Sequence, residues 1–212
     1  MNDSNPIAQL TMKEGAKESS FSFRPLDEEK DVELLYDWMH QKHIAPFWKL
    51  DLSMGELRSW VRKSVEAEHK DGYIGTYNGK PVCYLIAYAI DKDPIQDYYD
   101  DQHGDLGMHL LIGPRHLLNK EDGLSLVRAM IYFLFDRYQA KRIIGEPDRR
   151  NRIVIPILKQ VGGENLGPID LHGKQAALIV GAKEAFEKSL RDNDVETEML
   201  TRMRTSKSEL VV

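Results

Sequence analysis

Apolar residues recur along the chain at two spacings, and the switches between them mark out its elements. Phe21 to Pro25 alternates as a strand does, while from Glu28 onward Val32, Leu35, Tyr36 and Met39 follow a helical period. Ser53 followed by Glu56 is a capping-box pattern. Leu57, Trp60, Val61 and Val65 then form one apolar stripe, which predicts a second helix to about His69. The stretch His43-Ile44-Ala45-Pro46-Phe47-Trp48 between the two helices reads as a loop.

Two further runs, Tyr73 to Tyr77 and Val82 to Ile90, flank Asn78-Gly79, a pair that accepts the positive φ angles of a tight hairpin turn. Leu106 to Ile112 is apolar with little alternation, which predicts a strand covered on both faces and ended by Gly113-Pro114. A helix starting at Asp122 or a neighbour carries Leu126, Val127, Met130, Ile131, Leu134 and Phe135. Arg142 to Gly145 is a short strand, Asn151 caps a helix to about Gly162, and Ala176 to Val180 closes with a strand. The order β-α-α-β-β-β-α-β-α-β(β) predicts an α/β (α+β) fold, a mixed sheet covered by helices. Residues 1–19 are polar and unpatterned and read as a loose arm, and 20–187 as one domain. Residues 188–212 offer Leu190, Val195, Met199, Leu200 and Met203 at uneven spacing and read as a short charged helix or a frayed tail.

Composition narrows the class. A chain of 212 residues with 42% hydrophobic and 30% charged side chains has enough apolar surface to offset chain entropy, so a folded globule is expected. No window approaches the ~20 apolar residues of a membrane span, and the start has no basic cap followed by an apolar core, so a cytoplasmic protein is expected. The single cysteine, Cys83, lies in an apolar run and reads as a buried thiol. A net charge of -5 argues against a dedicated nucleic-acid binder, whose affinity comes from clustered Lys and Arg. Basic residues gather only locally, at Arg149, Arg150 and Arg152. Between Asp91 and Asp105 six aspartates face one lysine and one histidine, either as a solvated loop or as an attractor for a cation.

Phosphate-loop, dinucleotide, serine-hydrolase and zinc-helix signatures are all missing, which removes support for NTP hydrolysis, hydride transfer and serine hydrolysis. His40 and His43 can share a helical face, but nothing in the sequence completes a metal site around them, and no metal is expected. The stretch Gly104-Asp105-Leu106-Gly107-Met108-His109-Leu110-Leu111-Ile112-Gly113, leading to Lys120-Glu121-Asp122-Gly123, is a strand feeding a turn and a helix N-terminus. Such an arrangement suits a pyrophosphate or is an ordinary strand-turn-helix.

With those elements, Trp38-Met39-His40, His43 to Trp48, Gly104 to Gly113 and Glu146-Pro147-Asp148-Arg149-Arg150-Asn151 resemble the GNAT superfamily of acyl-CoA-dependent N-acyltransferases over roughly residues 20–182. Within it they resemble the siderophore branch, which makes hydroxamates from hydroxylamines. The resemblance implies a mostly antiparallel central sheet whose fourth and fifth strands splay apart. Acyl-CoA would lie in that gap, its pantetheine along Leu110, Leu111 and Ile112. Its pyrophosphate would rest on backbone amides around Lys120, Asp122, Gly123 and Leu124, since the anionic Glu121 and Asp122 do not suit phosphate through their side chains. Asn151 matches a position that touches CoA and is also a natural helix cap.

The same resemblance makes His109 and Glu146 the catalytic candidates, and His43, Phe47 and Trp48 the cover of the acceptor site. His109 is otherwise a core histidine, and Glu146 otherwise a partner for Arg149, Arg150 or Arg152. The implied activity is transfer of an acetyl group from acetyl-CoA to an N-hydroxylated diamine or N-hydroxylysine. Another amine acceptor, such as lysine with a longer acyl chain or an aminoglycoside, stays open, as does a non-catalytic acyl-CoA-binding module. The implied partners are acyl-CoA and a small acceptor, with neither nucleic acid nor membrane.

Overall fold

The computed structural model describes residues 8–171 and 173–201. In chain order its main elements are β1 (Ala8–Glu14), β2 (Lys17–Pro25), α1 (Glu28–Met39), α2 (Ala45–Trp48), α3 (Met54–Glu66), β3 (Lys70–Tyr77), β4 (Lys80–Tyr88), β5 (Asp105–Ile112), α4 (Lys120–Tyr138), β6 (Arg142–Gly145), α5 (Val154–Gln160), β7 (Gly163–Leu171), β8 (Lys174–Ala182), α6 (Lys183–Asp192) and β9 (Val195–Thr201). The nine strands form one sheet in the order β7-β8-β6-β5-β4-β3-β2-β1-β9. Every neighbouring pair is antiparallel except β5 with β6. The sheet is therefore mixed and mostly antiparallel, as the resemblance implies, and its fourth and fifth strands correspond to β5 and β6.

Each face of the sheet carries its own core. On one, α4 buries Leu126, Val127, Met130 and Leu134 against residues such as Phe23, Leu85, Met108 and Ile143. On the other, α1 and α3 bury Val32, Leu35, Leu57 and Val61 against Ile74, Tyr84, Ile86 and Tyr88. Successive side chains of β4 serve alternate cores, which is why that strand reads as continuously apolar. The helix starts are fixed locally. Asp27 accepts from Glu29 N and Lys30 N ahead of α1, and Ser53 and Glu56 form the reciprocal capping box of α3.

The structure departs from the sequence reading at both ends. The polar segment 1–19, read as a loose arm, instead supplies β1 and the start of β2 from residue 8 onward. Ala8, Leu10 and Met12 are buried there and the intervening residues face outward. The segment 188–212, read as a helix or tail, holds the last turn of α6 and then edge strand β9, which pairs with β1 through residue 201; Met203 lies outside the described residues. β9 turns Val195, Thr197 and Met199 to one side and the exposed Glu196 and Glu198 to the other, and these charges blunt an exposed edge and also hide the strand from a hydrophobicity reading. β7 is hidden for a related reason, since it holds Gly167 and Pro168, which only an edge strand tolerates. Part of the expected loop His43 to Trp48 closes into the short helix α2, and α4 begins at Lys120 under an Asn119 cap rather than at Asp122.

Candidate active site

β5 and β6 pair over only three positions, Asp105 with Arg142, Leu106 with Ile143 and Gly107 with Ile144. Beyond them the strands part. The chain after Gly145 stays with β8, since Pro147 O accepts from Ala177 N at 2.8 Å and Arg149 N donates to Gln175 O at 3.0 Å. Pro147 has no N–H to offer β5 in any case. The start of the seam is held by Asp105, which is buried and takes two hydrogen bonds from Arg142, at 2.7 and 2.6 Å, and one from Tyr99 Oη at 2.9 Å. One end of the acidic run is therefore structural rather than solvated.

The gap left by the splay is a cleft of about 220 Å³ between Met108 to Leu110 on one side and Gly145 to Asp148 on the other, with Phe47 and Trp48 above it. Gly113 N donates to Val82 O, so by antiparallel alternation Leu111 and His109 spend their backbone groups on β4. The amides and carbonyls of Leu110 and Ile112 face the opened edge. The backbone groups of Leu111 thus face β4, while its buried side chain borders the narrow continuation of the cleft.

Four side chains from separate elements converge at the head of the cleft. His109 Nε2 lies 2.7 Å from Glu146 Oε1, Tyr88 Oη donates to Glu146 Oε2 at 3.1 Å, and Lys174 Nζ is 3.6 Å from Oε1 while donating to the Glu146 carbonyl at 2.9 Å. Burial by itself raises the pKa of Glu146. The charge and hydrogen bond of His109, then Lys174 and Tyr88, outweigh it and hold the carboxyl down to about 2. An ionised carboxylate only accepts, so Nε2 of His109 carries the proton in that bond and the lone pair of the neutral ring is on Nδ1. Tyr88 is the reverse case. Burial first and the Glu146 charge second raise its phenol well above the ordinary value, so it stays a donor.

The glycines flanking His109 have a packing reason. A Cβ at Gly107 would lie 2.1 Å from the Tyr88 ring, and one at Gly113 would lie 2.2 Å from the Trp38 indole. Both aromatic rings lie directly on β5, on the face where His109 projects, and the Tyr88 and His109 ring centroids are 4.9 Å apart. Tyr88 and Lys174 were not singled out by the sequence. The Gly-x-His spacing was the available signal for a ring lying against β5.

The remaining sequence candidates fall into three groups. Phe47, Trp48 and Asn151 do border the cleft, and Asn151 Oδ1 also accepts from Ile153 N and Val154 N, capping the turn that enters α5. His43 does not reach the His109 end. Its Nε2 is 3.1 Å from Gly113 O, about 13 Å along β5, beside a narrow continuation of the cleft that Phe47, Leu110 and Ile112 also line. His40 bonds instead to Tyr36 O, so the two histidines do not converge.

Lys120, Asp122, Gly123 and Leu124 line neither the cleft nor its continuation. Asn119 Oδ1 already holds Glu121 N and Asp122 N, and Asn119 O holds Gly123 N, so these amides are spent on capping α4. Asp122 pairs with Lys17, and Gly123 lets α4 pass close to Ile157. Two of the alternative partners of Glu146 are engaged elsewhere: Asp148 takes Arg150 at 2.7 Å and Arg149 bonds Gln175. Cys83 is buried, which pushes its thiol up to about 12 and suits a packing role.

Residues 27–171 match the acetyltransferase (GNAT) domain family. The chain belongs to the GNAT family. It is an acyl-CoA-dependent N-acyltransferase, and the GNAT sheet explains why β5 and β6 part where they do. The chain is 31% identical over 169 residues to an N-hydroxyputrescine acetyltransferase of Acinetobacter baumannii, covering 80% of this chain and 81% of that protein. It is 30% identical over 149 residues to a lysine N-acyltransferase of Mycobacterium tuberculosis, covering 70% and 71%. Among solved structures, an aminoglycoside acetyltransferase in complex with coenzyme A superposes with a TM-score of 0.69 at 24% identity, covering 79% of this chain and 98% of that one. Among the described residues no helix is long and apolar enough to cross a membrane, and no three His, Cys, Asp or Glu side chains group as a metal site.

Proposed function

We propose that this GNAT enzyme transfers the acetyl group of acetyl-CoA to the hydroxylamine nitrogen of a small N-hydroxylated diamine or N-hydroxylysine, giving a hydroxamate of the kind that chelates iron in siderophores. The observation that carries the reading is the His109–Glu146 pair at 2.7 Å, set where β5 and β6 part. The N-hydroxyputrescine acetyltransferase relative supports the acceptor class, and the coenzyme A-bound structural neighbour supports the donor.

Pantetheine lies along the free edge of Leu110 and Ile112, and the thioester reaches the level of His109. A hydroxylamine is less basic than an alkylamine and is neutral at the pH of the cell, so it attacks the thioester carbonyl directly. The Leu110 N–H, facing the gap, receives the oxyanion. Nδ1 of His109 removes the proton from the attacking nitrogen, and the ionised Glu146 stabilises the imidazolium that results. The C–S bond then breaks, and the departing thiolate, whose conjugate acid has a pKa of about 8.5, takes a proton from the imidazolium. Tyr88 and Lys174 keep Glu146 charged and oriented throughout.

The test is release of free thiol and hydroxamate colour with iron, using acetyl-CoA and a panel of hydroxylamines, their unhydroxylated parents and an aminoglycoside. Turnover confined to hydroxylamines supports the reading, while turnover only of an aminoglycoside replaces it. His109→Ala with Glu146→Ala is expected to abolish turnover and leave coenzyme A binding intact. Undiminished turnover would remove His109 and Glu146 from the mechanism, and a protein that bound coenzyme A but turned over nothing would be a binding module.

A further inference from the structure

His109 and Trp48 border a second cavity, of about 290 Å³, on the face of the sheet that carries α3, which lines it through Trp60. Its sides are apolar, with Trp48, Trp60 and Ile86 among them, and its polar groups are His69, Lys70 and Asp93. That volume is at the small end for a ligand pocket.

The two charged side chains are the informative feature. Lys70 is half-buried, its Nζ lies 5.8 Å from the centroid of the Trp60 ring, and among the described residues it forms no ion pair. Burial without a counter-ion lowers its pKa. Asp93 Oδ1 accepts from Ile95 N at 3.0 Å at the head of a short 3-10 turn, and among the described residues its carboxylate likewise forms no ion pair. A cation and an anion thus line one small cavity without pairing to each other. Lys70 gives up hydration there against the Trp60 ring rather than a counter-ion, and a ligand carrying the complementary charges supplies both it and Asp93 with an ionic partner.

We propose that this second cavity is the acceptor subsite, and that Asp93 and Lys70 select an acceptor whose far end is an α-amino acid. The ammonium would face Asp93 and the carboxylate Lys70. An aliphatic stem would run between Trp48 and Trp60, and the reactive nitrogen would stop beside His109, with the thioester arriving from the other cavity. This rests on the acetyltransferase reading above and names the acceptor class within it. It also leaves an aminoglycoside little support, since among the described residues Asp93 is the only carboxylate lining the cavity and several ammonium groups would need partners.

The experiment compares N6-hydroxylysine with N-hydroxycadaverine, which lacks only the carboxylate, using wild type, Lys70→Met and Asp93→Asn with acetyl-CoA. Asn at position 93 keeps an oxygen to cap Ile95 N, and Met at 70 keeps an apolar stem, so both variants are expected to fold. The wild type should favour the amino acid by tenfold or more in kcat/KM. Lys70→Met should erase that preference and leave hydroxycadaverine within about twofold of its wild-type value, whereas Asp93→Asn should lower both acceptors, because both carry a far ammonium. Equal use of the two acceptors by wild type, or an equal fall on both in Lys70→Met, would overturn the assignment. Thermal stabilisation by N6-hydroxylysine separates the two levels of inference. If it depends on Lys70 but no hydroxylamine is turned over, the subsite stands and the reaction reading falls; if it is absent as well, both fall.

Discussion

The Tyr88 ring fills the space that a side chain at position 107 would need, and a Cβ on Gly107 would lie 2.1 Å from its Cε2 atom. The same ring carries the hydroxyl that donates to Glu146 Oε2, so one glycine sets the orientation of the carboxylate that holds His109. Gly107→Ala should displace the ring, at a cost of about 1–3 kcal/mol from overpacking. Tyr88→Phe keeps the ring and removes the donor, which should lower kcat about tenfold with little change in melting temperature. Steady-state kinetics beside a melting curve separate the two effects.

Glu146 titrates in the folded chain at about 2, below its ordinary value of 4.5. The unfolded chain therefore binds the extra proton between these values, and stability rises with pH across that window. The contribution is fully present above about pH 5 and is lost as the pH falls toward 2. Glu146→Gln should flatten that part of the acid unfolding curve and reduce kcat by about a hundredfold or more, since the imidazolium loses its counter-charge. A titration of unfolding free energy against pH checks the first outcome and kinetics the second.

Asp105 anchors the short parallel seam through Arg142, and both side chains are largely withdrawn from water. Asp105→Ala strands the guanidinium and should cost about 3–5 kcal/mol, lowering the melting temperature by about 10 °C. Replacement of both residues by apolar side chains should recover much of that loss, as measured by denaturant unfolding.

The Cys83 thiol is buried against β3, and its pKa is pushed up to about 12 by burial, which outweighs a hydrogen bond from the Gly75 backbone. Alkylation in the native state should be far slower than in denaturant. Activity should survive a native-state exposure to iodoacetamide that fully modifies the unfolded chain.

Where the pattern is local, sequence and structure agree closely. The Ser53–Glu56 box, the Asn78-Gly79 turn and the doubly covered strand Leu106 to Ile112 depend on neighbours a few residues away, and each lies where expected. β7 and β9 were not legible because edge strands need few apolar residues and carry charges, Gly or Pro that erase the alternation, and the interior strand β1 was not because its buried residues, Ala8, Leu10 and Met12, stand in an otherwise polar stretch. The motif resemblance pointed to His109 and Glu146, which the fold brings within 2.7 Å of each other, whereas the segment of Lys120, Asp122, Gly123 and Leu124 lies outside the cleft lining, with Asn119 Oδ1 holding the amides of Glu121 and Asp122.

By itself the sequence determined helices α1, α3, α4 and α5, the central strands and the family, since periodicity, caps and motif order act over short stretches of chain. Tertiary structure alone decided which charges meet. Glu146 finds His109 at a separation of 37 residues, Tyr88 at 58 and Lys174 at 28. The opening of β5 from β6 brings them to one point. Electrostatic energies follow distance in space and burial, so the ionised state of Glu146, the proton on His109 Nε2 and the placing of Lys70 and Asp93 in one cavity have no counterpart in the spacing of letters.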